Sequence, residues 1–171
     1  MNHNQQDRRG WLLAISAFII AFDRWTKIWA AHHVSEGDAL TIIPRYLSIT
    51  HVLNPGAAFS LFSNSPTPGR TRWMLTAFSL LVVVIVFGLL LKKGRRFTLT
   101  NVALALILGG ALGNIWDRLR FGVVTDFIEV YLRLGHWSYH WPDFNVADSS
   151  IVTGACLLFL DSLLPQRKKK A

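Results

Sequence analysis

Four long apolar stretches constrain this 171-residue chain more than any other feature of its sequence. They cover about residues 11–31, 73–91, 99–116 and 146–164, and each approaches the ~20 residues that a helix needs to cross a bilayer. Charged residues make up only 16% of the chain, against about 25% in soluble domains. We therefore predict an α-helical integral membrane protein, with four transmembrane helices in a single domain that spans residues 1–171. The first stretch is expected to be a retained span and not a cleaved signal peptide.

Basic residues indicate how such a bundle would lie in the membrane. Ten of the eighteen Lys and Arg residues fall in three short blocks beside the apolar stretches, at residues 8–9, 92–96 and 167–170. Because cytoplasmic loops carry an excess of Lys and Arg, the blocks predict that both termini lie in the cytoplasm. The net charge of +8 does not indicate a nucleic-acid partner, since the basic residues form no stripe interleaved with aromatic residues.

Two segments are then expected on the outer face of the membrane. Residues 39–62 contain β-branched and alternating runs, such as Leu47-Ser-Ile-Thr-His-Val52, and the turn signal Asn54-Pro55-Gly56. This region predicts a small antiparallel β-sheet. Residues 118–143, which are rich in aromatic side chains, are expected to form an outer loop.

Polar residues interrupt the apolar stretches at a few positions only. Asp23 and Lys27 are four residues apart in the first stretch, so they share a helix face and can form an ion pair. Asn114 and Arg118 have the same spacing at the outer end of the third stretch. We interpret Asp23 and Lys27 as a structural polar pair. Asn114 and Arg118 are interpreted as a helix cap and interface anchor, or as groups that orient a substrate backbone or a nearby carboxylate.

Two aspartates at the margins of apolar sequence are the main functional candidates. Asp148 follows Asn145, a plausible N-cap residue at the start of the fourth stretch, and Asp126 is flanked by apolar residues with no obvious local partner. A carboxylate close to lipid is costly, about 2.5–3.5 kcal/mol at a helix centre, and commonly serves a function. Spacing alone leaves three further outer acids as alternatives: Asp117, Glu129 and Asp143.

The motifs of other hydrolases are missing from the sequence, which favours carboxylate chemistry. There is no His-Glu-x-x-His, no Gly-x-Ser-x-Gly and no Gly-x-x-x-x-Gly-Lys, and Cys156 is the only cysteine. Two carboxyl groups that meet in a partly dry site share a proton, so that one activates water and the other polarises a carbonyl group. We therefore expect neither a metal nor a cofactor.

Five motifs in chain order carry a family resemblance. They are Asp23-x-x-x-Lys27, Asn54-x-Gly56-Ala57-Ala58-Phe59, Gly109-Gly-Ala-Leu-Gly-Asn114-x-x-Asp117-Arg118, Val124-x-Asp126-Phe127 and Phe144-Asn145-x-Ala147-Asp148. In this combination the sequence resembles the bacterial lipoprotein signal peptidases (signal peptidase II), aspartic endopeptidases of the inner membrane, over about residues 11–165.

The resemblance implies a role for each matched residue. Asp126 and Asp148 fall on the catalytic pair, and Asp23 and Lys27 fall on a supporting polar pair. Six residues fall on positions that the family uses around the site: Asn54, Gly56, Asn114, Arg118, Asn145 and Ala147. The implied substrates are prolipoproteins, cleaved before a diacylglyceryl-modified cysteine at the outer face of the membrane by a protein that we expect to be a monomer.

Two other classes of function remain as alternatives. A small proton-coupled carrier also keeps acids in membrane helices, but it predicts acids near mid-membrane and duplicated halves. A structural or assembly factor anchored by four spans needs no acid pair. Processing of a lipid-modified precursor by the purified protein distinguishes the three.

Overall fold

The computed structural model describes residues 7–56 and 65–164. In chain order these contain α1 (Arg9–His33), β1 (Ala39–Ile43), β2 (Leu47–Asn54), α2 (Pro68–Lys93), α3 (Leu99–Arg120), β3 (Val124–Leu134), β4 (Trp137–His140) and α4 (Val146–Leu163). The four helices match the four predicted apolar stretches, and α3 runs four residues beyond its predicted end.

Helix α3 is the centre of the bundle, because it packs against each of the other three helices. Its small residues allow close approach: a Cβ atom at Gly109 would lie 2.8 Å from Cβ of Ile19 and 2.9 Å from the carbonyl oxygen of Ser16. The Ser16 hydroxyl on α1 also donates to the carbonyl oxygen of Ala105 at 2.8 Å. This small-residue face of α3 is therefore a helix-packing surface.

Three helices in the described part of the chain are long and apolar enough to cross a membrane: α2, α3 and α4. Most of α3 is buried, whereas α2 and α4 expose most of their apolar surface, as helices that face lipid do. Helix α1 is of similar length, but it carries Asp23, Arg24 and Lys27 in its second half. Its composition alone does not mark it as a span.

The four strands form one antiparallel sheet in the order β1-β2-β3-β4. A small antiparallel sheet was predicted, and it is confirmed, but within the described part of the region 39–62 only β1 and β2 belong to it. The last predicted strand of that region, at residues 57–62, lies outside the described residues. Strands β3 and β4 come from residues 118–143, so the expectation of a loop there is corrected. Alternating β-branched and aromatic residues from Val124 onwards suit a strand that pairs on both sides.

The sheet lies at one end of the helix bundle and determines where the polar residues meet. The C-terminal ends of α1 and α3 and the N-terminal end of α4 all lie at this sheet end. At the opposite end the guanidinium of Arg8 lies 6.0 Å from the ring centre of Phe97, close to the second basic block. Two of the three basic blocks are thus on one side of the bundle, and the third lies outside the described residues.

Candidate active site

Asp126 lies on β3 and is 1% exposed. The pairing of β2 with β3 places Val52 opposite Asp126, which brings the end of β2 over this carboxylate. The side-chain amide of Asn54 donates to Oδ2 of Asp126 at 2.8 Å. The side-chain amide of Asn145 donates to Oδ1 at 2.7 Å. Both oxygens of the carboxylate are therefore held by amide N–H donors from other parts of the chain.

The pKa of Asp126 is shifted towards neutral pH. Burial, and then the nearby charge of Asp148, raise the pKa of Asp126 to about 7, while the hydrogen bonds from Asn54 and Asn145 oppose the rise. A carboxyl group with this pKa is a mixture of acid and carboxylate near neutral pH. It can therefore both donate and accept a proton at the pH at which a membrane enzyme works.

Asp148 is the third residue of α4 and forms a reciprocal capping box with Asn145. The backbone N–H of Asp148 donates to Oδ1 of Asn145 at 2.9 Å, and the backbone N–H of Asn145 donates to Oδ2 of Asp148 at 3.3 Å. The side-chain amide of Asn114 on α3 donates to the other oxygen, Oδ1, at 2.8 Å. The predicted N-cap at Asn145 is confirmed.

Asn145 joins the two aspartates into one site. Its backbone N–H contacts Asp148 and its side-chain NH₂ contacts Asp126, and the Asn145 side chain itself is fully buried. Two carboxyl groups held around one residue, with the pKa of one raised by the charge of the other, favour a state with one proton for the pair. Such a pair offers a base and an acid side by side.

A buried ionic cluster supports the site from the side of α1. The Nζ atom of Lys27 lies 2.8 Å from Asp23 Oδ2 and 2.8 Å from Asp117 Oδ2. Arg24 reaches Asp117 at 3.4 Å, so two cations face two anions. Asp23 also accepts the backbone N–H of Ala147 at 2.8 Å, which fixes the first turn of α4 against α1. The predicted pairing of Asp23 with Lys27 is confirmed, whereas the sequence did not indicate their contact with Asp117.

Arg118 connects α3 to the turn that follows β2. Its Nη2 atom donates to the carbonyl oxygen of Gly56 at 2.9 Å, and the backbone N–H of Gly56 donates to Oδ1 of Asn54 at 2.8 Å. Because the side-chain amide of Asn54 holds Asp126, Arg118 acts on that carboxylate through the turn. The ten residues predicted for the site thus form one connected cluster in the structure.

Two of the other outer acids, Asp143 and Glu129, have partners outside this cluster, whereas Asp117 contacts Lys27 within it. Asp143 accepts a hydrogen bond from the Thr50 hydroxyl at 2.9 Å, and burial raises its pKa. Glu129 lies 2.7 Å from His140 across the β3–β4 hairpin. Within residues 7–56 and 65–164, no group of three or more His, Cys, Asp or Glu side chains is arranged to hold a metal ion.

A cavity of about 270 Å³ opens beside Asp148. Asn114, Arg118 and Asp148 form its polar end. Apart from Ser79, the rest of the lining consists of apolar side chains of α2, α3 and α4, among them Phe78 and Ile151. A larger cavity of about 380 Å³ lies between α1 and β2 and includes neither carboxylate. The smaller cavity therefore joins apolar side chains to Asp148, one member of the acid pair.

Comparison with known proteins places the chain in a family. The family model described as Signal peptidase (SPase) II matches residues 15–164. The lipoprotein signal peptidase of Solibacter usitatus is 40% identical over 162 residues, covering 95% of this chain and 96% of that protein. That of Hydrogenovibrio crunogenus is 42% identical over 163 residues, covering 94% and 89%.

A solved structure, described as a bacterial membrane enzyme determined by the in meso method at 2.3 Å resolution, shares the fold. Its TM-score is 0.76 at 29% identity, over 95% of this chain and 94% of that one. The sequence match covers the helices and strands that build the carboxylate cluster. The chain belongs to the signal peptidase II family.

Proposed function

We propose that the chain removes signal peptides from prolipoproteins by cleaving before a diacylglyceryl-modified cysteine, with Asp126 and Asp148 as the catalytic pair. The observation that carries the proposal is the fully buried Asn145, which contacts both carboxylates at once. The close relatives are lipoprotein signal peptidases, which supports the substrate class.

In the proposed mechanism the two aspartates divide the work. Asp148 lies in the first turn of α4, where the helix dipole favours its ionised form, and it takes a proton from water. The oxygen of that water attacks the scissile carbonyl carbon. Asp126, with a pKa of about 7, donates a proton to the carbonyl oxygen as the tetrahedral intermediate forms. Asp148 then transfers its proton to the leaving nitrogen while a hydroxyl group of the intermediate returns a proton to Asp126, and the C–N bond breaks to give the amine and the new carboxyl terminus.

Four spans, including α1, are part of the proposal. The 25 residues of α1 extend about 37 Å at 1.5 Å per residue, which exceeds the ~30 Å hydrocarbon core. Asp23 and Lys27 are 2% and 1% exposed, so α1 turns these two charges towards α3 and not towards lipid. This burial removes the main objection to α1 as a transmembrane helix.

The orientation of the bundle follows from its charges. Basic residues at the end opposite the sheet favour cytoplasmic termini, so the sheet and the acid pair lie at the outer face of the inner membrane. A signal peptide that crosses the bilayer would bring its scissile bond to this depth. The cavity between α2, α3 and α4 gives such a segment an apolar path to Asp148. We propose that the chain works there as a monomeric single domain in contact with phospholipid.

The test uses purified protein in detergent and two forms of one precursor, with and without the diacylglyceryl group on its cysteine. We expect cleavage of the lipid-modified form at the bond before that cysteine, measured by mass spectrometry of both products. Equal cleavage of the unmodified form would contradict the proposed substrate class, and cleavage of neither form would contradict the proposed activity.

A further inference from the structure

Within residues 7–56 and 65–164, one side chain, that of Asn114, joins Lys27 to the acid pair by hydrogen bonds. Its ammonium group lies in the interior with 0% of the side chain exposed, and it faces three oxygens: Asp23 Oδ2, Asp117 Oδ2 and Asn114 Oδ1. The distance to Asn114 Oδ1 is 3.1 Å. An ammonium group has three N–H donors and no acceptor, so each of the three atoms that it faces is an oxygen.

The side-chain amide of Asn114 has two unlike ends, and Lys27 determines which end faces the acid pair. Because an ammonium can only donate, it binds the amide oxygen, and the amide NH₂ is then turned towards Asp148 Oδ1 at 2.8 Å. A half-turn of this amide would place NH₂ against the ammonium and oxygen against the carboxylate. Both contacts would then be repulsive.

Among the described residues, one weaker contact supports the same orientation. The side-chain amide of Asn145 donates to Asn114 Oδ1 at 3.4 Å, close to the limit for a hydrogen bond, and it is already bound to Asp126 at 2.7 Å. The orientation of the Asn114 amide therefore depends mainly on Lys27. Charge around Lys27 is balanced, because Asp23 and Asp117 face Lys27 and Arg24.

We infer that Lys27 is a positioning residue for hydrolysis: it holds the Asn114 amide so that an N–H donor, and not an oxygen, meets Asp148. This inference rests on the proposed role of Asp148 and adds a residue that touches no reacting atom. This role differs from that of a structural ion pair. Lys27 contributes to kcat through the orientation of the Asn114 amide, and not through the net charge of the ionic cluster.

Two charge-balanced double variants test the inference. Asp23→Asn with Lys27→Met removes the lysine and keeps the Arg24–Asp117 pair. The matched control, Arg24→Gln with Asp117→Asn, removes the other pair and keeps Lys27 on Asn114. The kcat of the first variant for lipid-modified precursor should fall about 10- to 100-fold, the usual effect of losing a hydrogen bond to a charged group, with KM within about threefold. The control should keep kcat within about threefold.

A third variant mimics the wrong orientation without removing the lysine. Asn114→Asp is isosteric and still accepts from Lys27, but it presents an oxygen to Asp148 where the NH₂ was. We expect this variant to fold, as judged by thermal unfolding, and to lose at least about tenfold in kcat. Near-normal kcat in Asn114→Asp would overturn the inference, even if the double variant Asp23→Asn with Lys27→Met fails to fold.

A double-mutant cycle separates action through Asn114 from any other route. In an Asn114→Ala background, the Asp23→Asn and Lys27→Met pair should lower kcat by less than about threefold, because the amide that it orients is gone. The inference would be overturned if the losses of kcat from Asn114→Ala and from the Asp23→Asn and Lys27→Met pair multiplied. It would also be overturned if the two charge-balanced double variants lost equal amounts of kcat. Loss of activity on Asp126→Asn and Asp148→Asn tests the proposed acid pair separately, so the two failures are distinguishable.

Discussion

Substitution of Asn145 separates the stability of α4 from the chemistry of the acid pair. Its side-chain oxygen accepts the N–H of Asp148 at 2.9 Å as an N-cap, and its side-chain NH₂ holds Asp126 at 2.7 Å. Loss of an N-cap costs about 1 kcal/mol, within a range of 0.5–2, and loss of a hydrogen bond to a charged group costs about 1.5–3 kcal/mol. Asn145→Ala loses both contacts. Asn145→Ser keeps a capping oxygen but is too short to reach Asp126.

The two variants should therefore differ in stability and agree in activity. We expect Asn145→Ala to lower the melting temperature by about 3 °C more than Asn145→Ser does, because both variants lose the Asp126 contact and they differ by one N-cap of about 1 kcal/mol. Both should lower kcat about 10- to 100-fold, since 1.36 kcal/mol in the barrier is tenfold in rate. The measurements are thermal unfolding in detergent and single-turnover cleavage of a lipid-modified precursor.

Thr98 provides the matched control, because it caps α3 at the opposite end of the bundle. Its hydroxyl accepts the N–H of Asn101 at 3.1 Å and is remote from the carboxylates. Thr98→Ala should lower the free energy of unfolding by about 1 kcal/mol, the cost of one N-cap, and leave kcat unchanged. Wild-type kcat in Asn145→Ser would contradict the role of the Asp126 contact. A loss of kcat in Thr98→Ala equal to that in Asn145→Ala would show that loss of a cap alone lowers kcat.

Two further predictions concern Asp126 and the helix contact at Gly109. The pKa of Asp126 is raised from 3.8 to about 7, so its proton stabilises the folded chain at low pH, and this stabilisation is lost as the pH rises through 7. The wild type should therefore lose melting temperature relative to Asp126→Asn as the pH is raised from 4 to 8. A difference in melting temperature that stays constant with pH would contradict the raised pKa. Gly109→Ala places a Cβ atom 2.8 Å from Ile19 and should lower the free energy of unfolding by about 1–3 kcal/mol. Gly88→Ala, where a Cβ atom would have nothing within 4 Å, should be neutral or slightly stabilising. Equal losses of unfolding free energy in the two variants would contradict close packing at Gly109.

Local features of the site were predictable from the sequence. The N-cap at Asn145 depends on residues within one turn of α4, and the Asp23–Lys27 pair depends on a spacing of four along one helix. The helices were predictable as well, because runs of about 20 apolar residues in a chain with few charges have few other stable forms. In each case the decisive contacts lie within a short stretch of chain.

Contacts between residues far apart in the sequence could not be predicted from local sequence patterns. Asp126 had no partner in its own neighbourhood, because its partners are Asn54, 72 residues earlier, and Asn145, 19 residues later. Strand β3 was expected to be loop because its pairing with β2 depends on residues 70 or more positions away. The contact between Lys27 and Asn114, 87 residues apart, likewise requires the packing of α1 on α3.

The central claim is that Asp126 and Asp148 together hydrolyse the substrate, and a three-way comparison of kcat tests it most directly. Asp126→Asn and Asp148→Asn are isosteric and keep most hydrogen-bond positions, and Asp143→Asn is the matched control, a half-buried outer acid bound to Thr50. With equal amounts of folded protein and lipid-modified precursor, the first two variants should lose at least about a thousandfold in kcat, and Asp143→Asn should stay within about threefold of the wild type. Near-normal turnover by Asp126→Asn or Asp148→Asn would contradict the account.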